Sequence, residues 1–221
     1  MARLPRLVIP GHAHYIVQRG HNGQPVMLDD EDRALYLVAL REAFVPRRVD
    51  LLAYALPNGA VHLLATPPSA EGLSSAMQAV GRRYVAAFNR RHGRSGTLWD
   101  GRFRGTVVEP GDTLLEVLRL IDGLPAPRSS AAHRLGQQRD PLLTDPPEFW
   151  RLGNTPFERE AAWRTLLVQG LPPARRDALA LGALRGWPLG SPDFVAALAA
   201  DTQRPLRPKP RGRPRKQAMP T

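Results

Sequence analysis

Val49-Asp50-Leu51-Leu52-Ala53-Tyr54-Ala55-Leu56-Pro57-Asn58-Gly59-Ala60-Val61-His62-Leu63-Leu64-Ala65-Thr66 decides the fold. Two short apolar runs, 49–56 and 60–66, flank Pro57-Asn58-Gly59, a run whose residues favour turns, so the stretch reads as an antiparallel hairpin. Upstream, the β-formers from Ala13 to Gln18 predict a first strand near 12–18, closed by the turn residues Gly20-His21-Asn22-Gly23. Asp29 and Asp30 are good caps for a helix with Leu35, Leu37, Val38, Leu40 and Phe44 on its apolar face, ended by Pro46. Downstream of the hairpin, Leu73, Met77, Val80, Tyr84 and Phe88 recur at helical spacing within 71–91, with Arg82, Arg83, Arg90 and Arg91 on the other face. A glycine-rich turn at 93–96 leads through Trp99 to a fourth strand at 102–108 and a helix at 113–122, which Gly123 and Pro125 stop. The order β-α-β-β-α-β-α predicts an α+β fold: a ferredoxin-like antiparallel sheet with helices on one face, spanning 1–123.

Residues 124–155 are rich in proline, serine and polar side chains and read as a linker or irregular wrap. Helical patterns near 156–168, 173–185 and 191–200 form a small C-terminal helical module, 156–201. The tail, 202–221, has seven basic residues between Arg204 and Lys216 and no acid, and is expected to be disordered when free.

The chain carries 31 basic and 20 acidic residues, a net charge of +11, and all but two of the bases are arginine. Such a surplus suits a phosphate binder, because each neutralised phosphate releases counterions; a genome whose base composition favours arginine is the alternative source. The absence of cysteine excludes disulfides, thiolate zinc sites and cysteine nucleophiles. The most apolar stretch, 51–65, is too short and too interrupted to span a bilayer, so a cytoplasmic, nucleoid-associated protein without membrane contact is expected. Within the tail, Pro210-Arg211-Gly212-Arg213-Pro214 resembles an AT-hook, in which Arg211 and Arg213 would lie along the narrow minor groove of A·T-rich DNA. A solubilising tail or a plain phosphate clamp is the alternative.

Several further runs, in order, resemble the REP-associated tyrosine transposases, a bacterial branch of the single-tyrosine HUH transposase superfamily. They are Leu4-Pro5-Arg6, Gly11-His12-Ala13-His14-Tyr15, Gln18-Arg19-Gly20, Arg82-Arg83-Tyr84, Phe88-Asn89-Arg90-Arg91-His92-Gly93 and, most specifically, Gly96-Thr97-Leu98-Trp99-Asp100-Gly101-Arg102-Phe103-Arg104. Asp140-Pro141-Leu142-Leu143-Thr144, Gly186-Trp187-Pro188-Leu189-Gly190-Ser191 and the Arg-Gly-Arg-Pro-Arg-Lys ending add to it. The resemblance implies a sheet-centred domain that recognises hairpins of repeated palindromic DNA and, in active members, cleaves a strand through a covalent phosphotyrosine. It implies a divalent metal held by His-hydrophobe-His on a strand, and a tyrosine and a third ligand on a nearby helix.

The active-site pattern departs from this. His62 stands at the second histidine, but Ala60 stands at the first, and the Pro57-Asn58 turn before them is displaced by one residue. Where the family carries Tyr-Ile-Glu-hydrophobe-Asn-Pro, the chain reads Leu120-Ile121-Asp122-Gly123-Leu124-Pro125, so Leu120 takes the nucleophile position and Leu124 the polar one. The chain is also shorter than the family pattern just after Pro125. All four tyrosines, Tyr15, Tyr36, Tyr54 and Tyr84, precede residue 85. A methyl group cannot ligate a metal and leucine cannot attack phosphorus, so no catalytic residue and no cofactor are expected, with His62 a residual ligand at most. His12, His14 and His21 are read as facing solvent or the sheet.

The expected function is therefore a DNA-binding pseudoenzyme derived from a transposase, holding hairpin or single-stranded repeat DNA without cutting it. Three alternatives stay open: an active Mg- or Mn-dependent tyrosine transposase or nuclease of DNA transposition, an RNA hairpin binder, and the product of a decaying gene. The candidate DNA contacts are Arg19, Arg82, Arg83, Arg90, Arg91, Arg94, Trp99, Arg102 and Arg104, with Arg211 and Arg213 in the tail. Trp99 is read either as a base-stacking platform or as a plug at the sheet edge, and Tyr84 either as a DNA contact or as core. A homodimer is left open by the resemblance.

Overall fold

The computed structural model describes residues 6–200, 202, 205 and 206. Strands β1 (His14–Arg19), β2 (Asp50–Ala55), β3 (Ala60–Thr66) and β4 (Arg104–Val107) form one antiparallel sheet in the order β2-β3-β1-β4. This is the order expected of a ferredoxin-like fold, and the hairpin quoted above is its β2-β3 pair. Helix α1 (Asp30–Phe44) starts where Asp29 accepts a hydrogen bond from the Asp32 amide, and Asp30, Glu31 and Asp32 meet the positive end of its dipole. Helix α2 (Ala70–Arg91) is capped in the same way by Ser69.

Successive residues of a strand face opposite sides of the sheet. Ile16 of β1 and Val61, Leu63 and Ala65 of β3 face α1 and α2, which cover the first face as predicted. On α1 the buried stripe is Tyr36, Ala39, Leu40, Ala43 and Phe44, so it is rotated from the expected face, and Val38 is exposed. The Tyr36 ring, which meets Tyr84 edge-on at 5.0 Å, fixes that rotation.

The second face is also apolar, through Tyr15, Val17 and Leu64, and it is closed by helices as well. Here lie α3 (Asp112–Asp122), Phe149 of α5 (Pro147–Trp150), Trp163 of α6 (Pro156–Gln169), and Leu179 and Ala183 of α7 (Pro173–Arg185). A register shift between Leu51 and Ala53 in β2 lets both Leu52 and Ala53 reach this face. A short helix, α4 (Ala131–Arg134), and a final helix, α8 (Pro192–Ala200), complete the elements.

Both outer strands are covered in part. Along β2, the Ser130 amide bonds to the Tyr54 carbonyl at 2.9 Å, and the Thr144 amide to the Leu51 carbonyl at 2.9 Å. Arg134 then reaches into the interior, pairs with Asp122 at 2.9 Å and donates to the Leu52 carbonyl, while the Trp163 indole donates to Asp122 at 3.1 Å. Asp122 and Arg134 are wholly buried, so the segment expected as an irregular wrap inserts a charged plug into the second core. Along β4, the Leu189 amide bonds to the Val107 carbonyl at 2.9 Å and the Thr106 hydroxyl donates to the Trp187 carbonyl at 2.6 Å. Among the described residues no helix is long and apolar enough to cross a membrane. The AT-hook-like run with Arg211 and Arg213 lies outside the described residues.

Candidate nucleic-acid interface

The register of the sheet brings the first arginines together. Arg104 and His62 both sit opposite Val17, one on each flank of β1, and Ala60 sits opposite Arg19. Alternation places Val17, Arg19, His62 and Arg104 on the second face. A cavity of about 480 Å³ is lined by Val17, Arg19 and Arg104 of these, by Asp100 and Arg102 from the turn before β4, and by Leu184, Arg185 and Trp187 from the end of α7 and beyond. Arg19, Arg102, Arg104 and Arg185 make no salt bridge with the described residues. Four guanidinium groups around one carboxylate leave the cavity strongly positive. The buried indole N–H of Trp187 has no hydrogen-bond partner among the described residues.

A second, larger cavity of about 860 Å³ continues from the first, sharing Gln18 and Arg102 with it. It runs along α2 past Ser74, Met77, Arg82 and Val85, with Trp99 and Phe103 on its other side. Arginine, uncharged polar and apolar side chains line this groove with one acid, Glu71, a mixture that accommodates phosphates and bases together. The structure thus unites Arg19, Arg82, Arg102 and Arg104 among the sequence candidates, with one edge of Trp99 in the same groove.

The other candidates are engaged elsewhere or stand apart. Arg83 pairs with Glu42 at 3.0 Å. Arg91 binds Asp29, Glu31 and Asp32 at 2.7–2.8 Å, which raises its pKa and lowers that of Asp29. Arg94 donates to Gln24 at 3.3 Å and lies 5.5 Å above the Phe88 ring, while Arg90 is exposed and lines neither cavity. Trp99 is 6 % exposed and packs against Tyr36 and Tyr84, so its ring is mostly core. The Tyr84 hydroxyl donates to the Val26 carbonyl at 2.6 Å inside the first core.

Sequence reasoning missed Arg185 and the role of Trp187. The run Gly186-Trp187-Pro188 was visible, but nothing local indicates that α7 ends over β4.

At His62, the Tyr15 hydroxyl and Nδ1 share a hydrogen bond of 2.7 Å. Burial, and then the charge of Arg19, lower the His62 pKa to about 4, so the imidazole is neutral at pH 7. Burial raises the Tyr15 pKa, and the ring is 1 % exposed. Leu120 is buried in the apolar cluster that contains Tyr15, and Leu124 packs on that cluster. His14 is buried too: its Nε2 accepts from the Ile9 amide at 3.1 Å, Nδ1 donates to the His12 carbonyl at 2.8 Å, and burial lowers its pKa to about 4. His12 and His21 lie outside the core. Among the described residues no three His, Cys, Asp or Glu side chains group as metal ligands do. With Ala60 and Leu124 offering no donor, Nδ1 of His62 taken by a phenol and a guanidinium nearby, this donor set does not fit the divalent ion of the family named above.

The whole-chain comparisons bear on the fold. No family model matches the chain, and no curated protein matches its sequence. A solved structure of a REP-associated tyrosine transposase bound to a REP hairpin superposes with a TM-score of 0.51 at 14 % identity, covering 67 % of this chain and 93 % of that one. The fold is shared with that transposase. A candidate transposase of Deinococcus radiodurans is also similar, with a TM-score of 0.38 at 19 % identity over 49 % of this chain and 88 % of its own.

Proposed function

We propose that this protein is a transposase-derived DNA-binding protein that holds hairpin or single-stranded repeat DNA and does not cut it. The observation that carries the reading is the cavity at the β4 edge, where Arg19, Arg102, Arg104 and Arg185 converge without salt-bridge partners among the described residues, on a fold shared with a hairpin-bound transposase. Arginine without an acid partner is poised for bidentate contact with phosphate. What supports the absence of cleavage is the side chains at the positions that the resemblance assigns to the reaction: Ala60 and Leu120 supply neither a ligand nor an attacking oxygen, and the phenol hydrogen-bonded to His62 is buried and protonated.

The test is anisotropy of a labelled palindromic hairpin with a single-stranded flank, titrated with protein in EDTA at rising salt. Binding that needs no metal, and whose log K falls by about 0.7–0.9 per log unit of salt for each phosphate contacted, supports the reading. Incubation with Mn²⁺ and a single-stranded repeat, followed by a denaturing gel, addresses cleavage: a covalent protein–DNA adduct refutes the inactive reading. Preference for an RNA hairpin of the same sequence would reassign the ligand.

A further inference from the structure

On the opposite side of the molecule, a cavity of about 310 Å³ lies between the outer surface of α1 and the loop 138–142. Three arginines line it from separate elements: Arg41 on α1, Arg128 beside the outer strand β2, and Arg139 in the loop. Asp140 is the acid in the lining, and both its oxygens are already used, one by the Tyr54 hydroxyl at 2.7 Å and the other by the Leu142 amide at 3.0 Å. The charge of Arg128 lies close enough to the same Tyr54 hydroxyl to oppose the rise in its pKa that burial and Asp140 cause. Arg41 and Arg139 are exposed and make no salt bridge or side-chain hydrogen bond with the described residues. The composition repeats that of the β4 cavity: arginines from distant parts of the chain, a single carboxylate, and an opening to solvent.

We infer that this cleft is a second phosphodiester-binding site, so that one copy of the chain holds two nucleic-acid segments at once. The inference rests on the reading of the β4 edge as the first site. β2 and β4 are the two outer strands, separated by β3 and β1, which puts them about 14 Å apart across the sheet. The cleft, moreover, lies beside α1, whereas the groove that continues from the β4 cavity runs along α2. A backbone segment seated at one edge therefore leaves the other free for a second segment. Three arginines against one carboxylate that is already engaged supply the charge a phosphate chain needs, and the apolar Leu37, Val38 and Leu142 beside them offer surface to its bases.

The test uses the full chain with two hairpin populations, one carrying a donor dye and one an acceptor, at half as much protein as total hairpin. Energy transfer between the hairpins is expected. In the R41E/R139E variant it falls about tenfold, while the affinity for a single hairpin stays within roughly twofold. R41A/R139A gives an intermediate loss, and an unchanged thermal melt shows that the fold persists. Wild-type protein that binds one hairpin tightly without transfer overturns this inference and leaves the first site standing. Transfer that survives R41E/R139E also overturns it, because a dimer then carries the second hairpin. Polyglutamate that binds more tightly than DNA and is lost in R41E/R139E would assign the cleft to a protein partner. Absence of any hairpin binding overturns both readings.

Discussion

Arg134 and Arg104 are both arginines set against the second face of the same sheet, and they do opposite work. Arg134 is wholly buried, faces Asp122 at 2.9 Å and caps a backbone carbonyl, so its charge is spent inside the protein. Arg104 stands at the start of an outer strand with Arg19, Arg102 and Arg185 around it and makes no salt bridge among the described residues, so its charge is available to a ligand. An arginine's role is thus set by the acids within reach. Arg91 and Arg102 make the same point eleven residues apart, since only Arg91 meets the acidic first turn of α1.

The sharpest way to break this contrast is to remove each charge and see what fails. Arg134→Ala leaves Asp122 buried without its counter-ion and is expected to cost about 3–5 kcal/mol of stability by chemical denaturation. A stable Arg134→Ala protein with weakened DNA binding would invert the assignment. The triple change R19A/R102A/R104A should leave the denaturation midpoint nearly unchanged, yet lower the slope of log K against log salt by about 2–3. Arg91→Ala should do the reverse, lowering the melting temperature without altering the salt slope.

Acid titration sharpens the comparison further. His62 and His14 have folded pKa values near 4, below the value of about 6.5 for an unfolded histidine. Between these values the unfolded chain binds more protons than the folded one. The stability they contribute is therefore complete above about pH 6.5 and is lost as pH falls towards 4, at up to about 1.4 kcal/mol per pH unit for each histidine. In His62→Gln that slope should fall by the share of one histidine. The smallest expected effect is that of Tyr15→Phe, which removes one hydrogen bond to His62 and should cost about 1 kcal/mol with DNA affinity intact.

Much of the sheet domain was legible in the sequence because its signals are local. Pro57-Asn58-Gly59 marks the hairpin turn, and Leu73, Met77, Val80, Tyr84 and Phe88 point the long helix inward as their spacing demands. The exposed Val38 shows where local reading failed: an apolar residue near a helical stripe is buried only if a neighbour covers it, and the Tyr36–Tyr84 contact turns α1 away. The candidate site was half legible. Arg19, Arg82, Arg102 and Arg104 follow from strand ends and one helix, whereas Arg185 and Trp187 arrive through docking of α7 on β4, which no short-range pattern encodes. Nor could spacing reveal that the phenol of Tyr15, two strand positions away on a neighbouring strand, would occupy His62.

The walls of the β4 cavity are drawn from residues 17–19, 100–104 and 184–187, so it closes only after the last third of the chain has come to rest on the sheet. A polypeptide still emerging from the ribosome would display the arginines of its first strands without the enclosure that organises them. Capture of a ligand in that enclosure is therefore reserved for the finished molecule, and shedding the final helices would disarm it while leaving the sheet's own arginines in place.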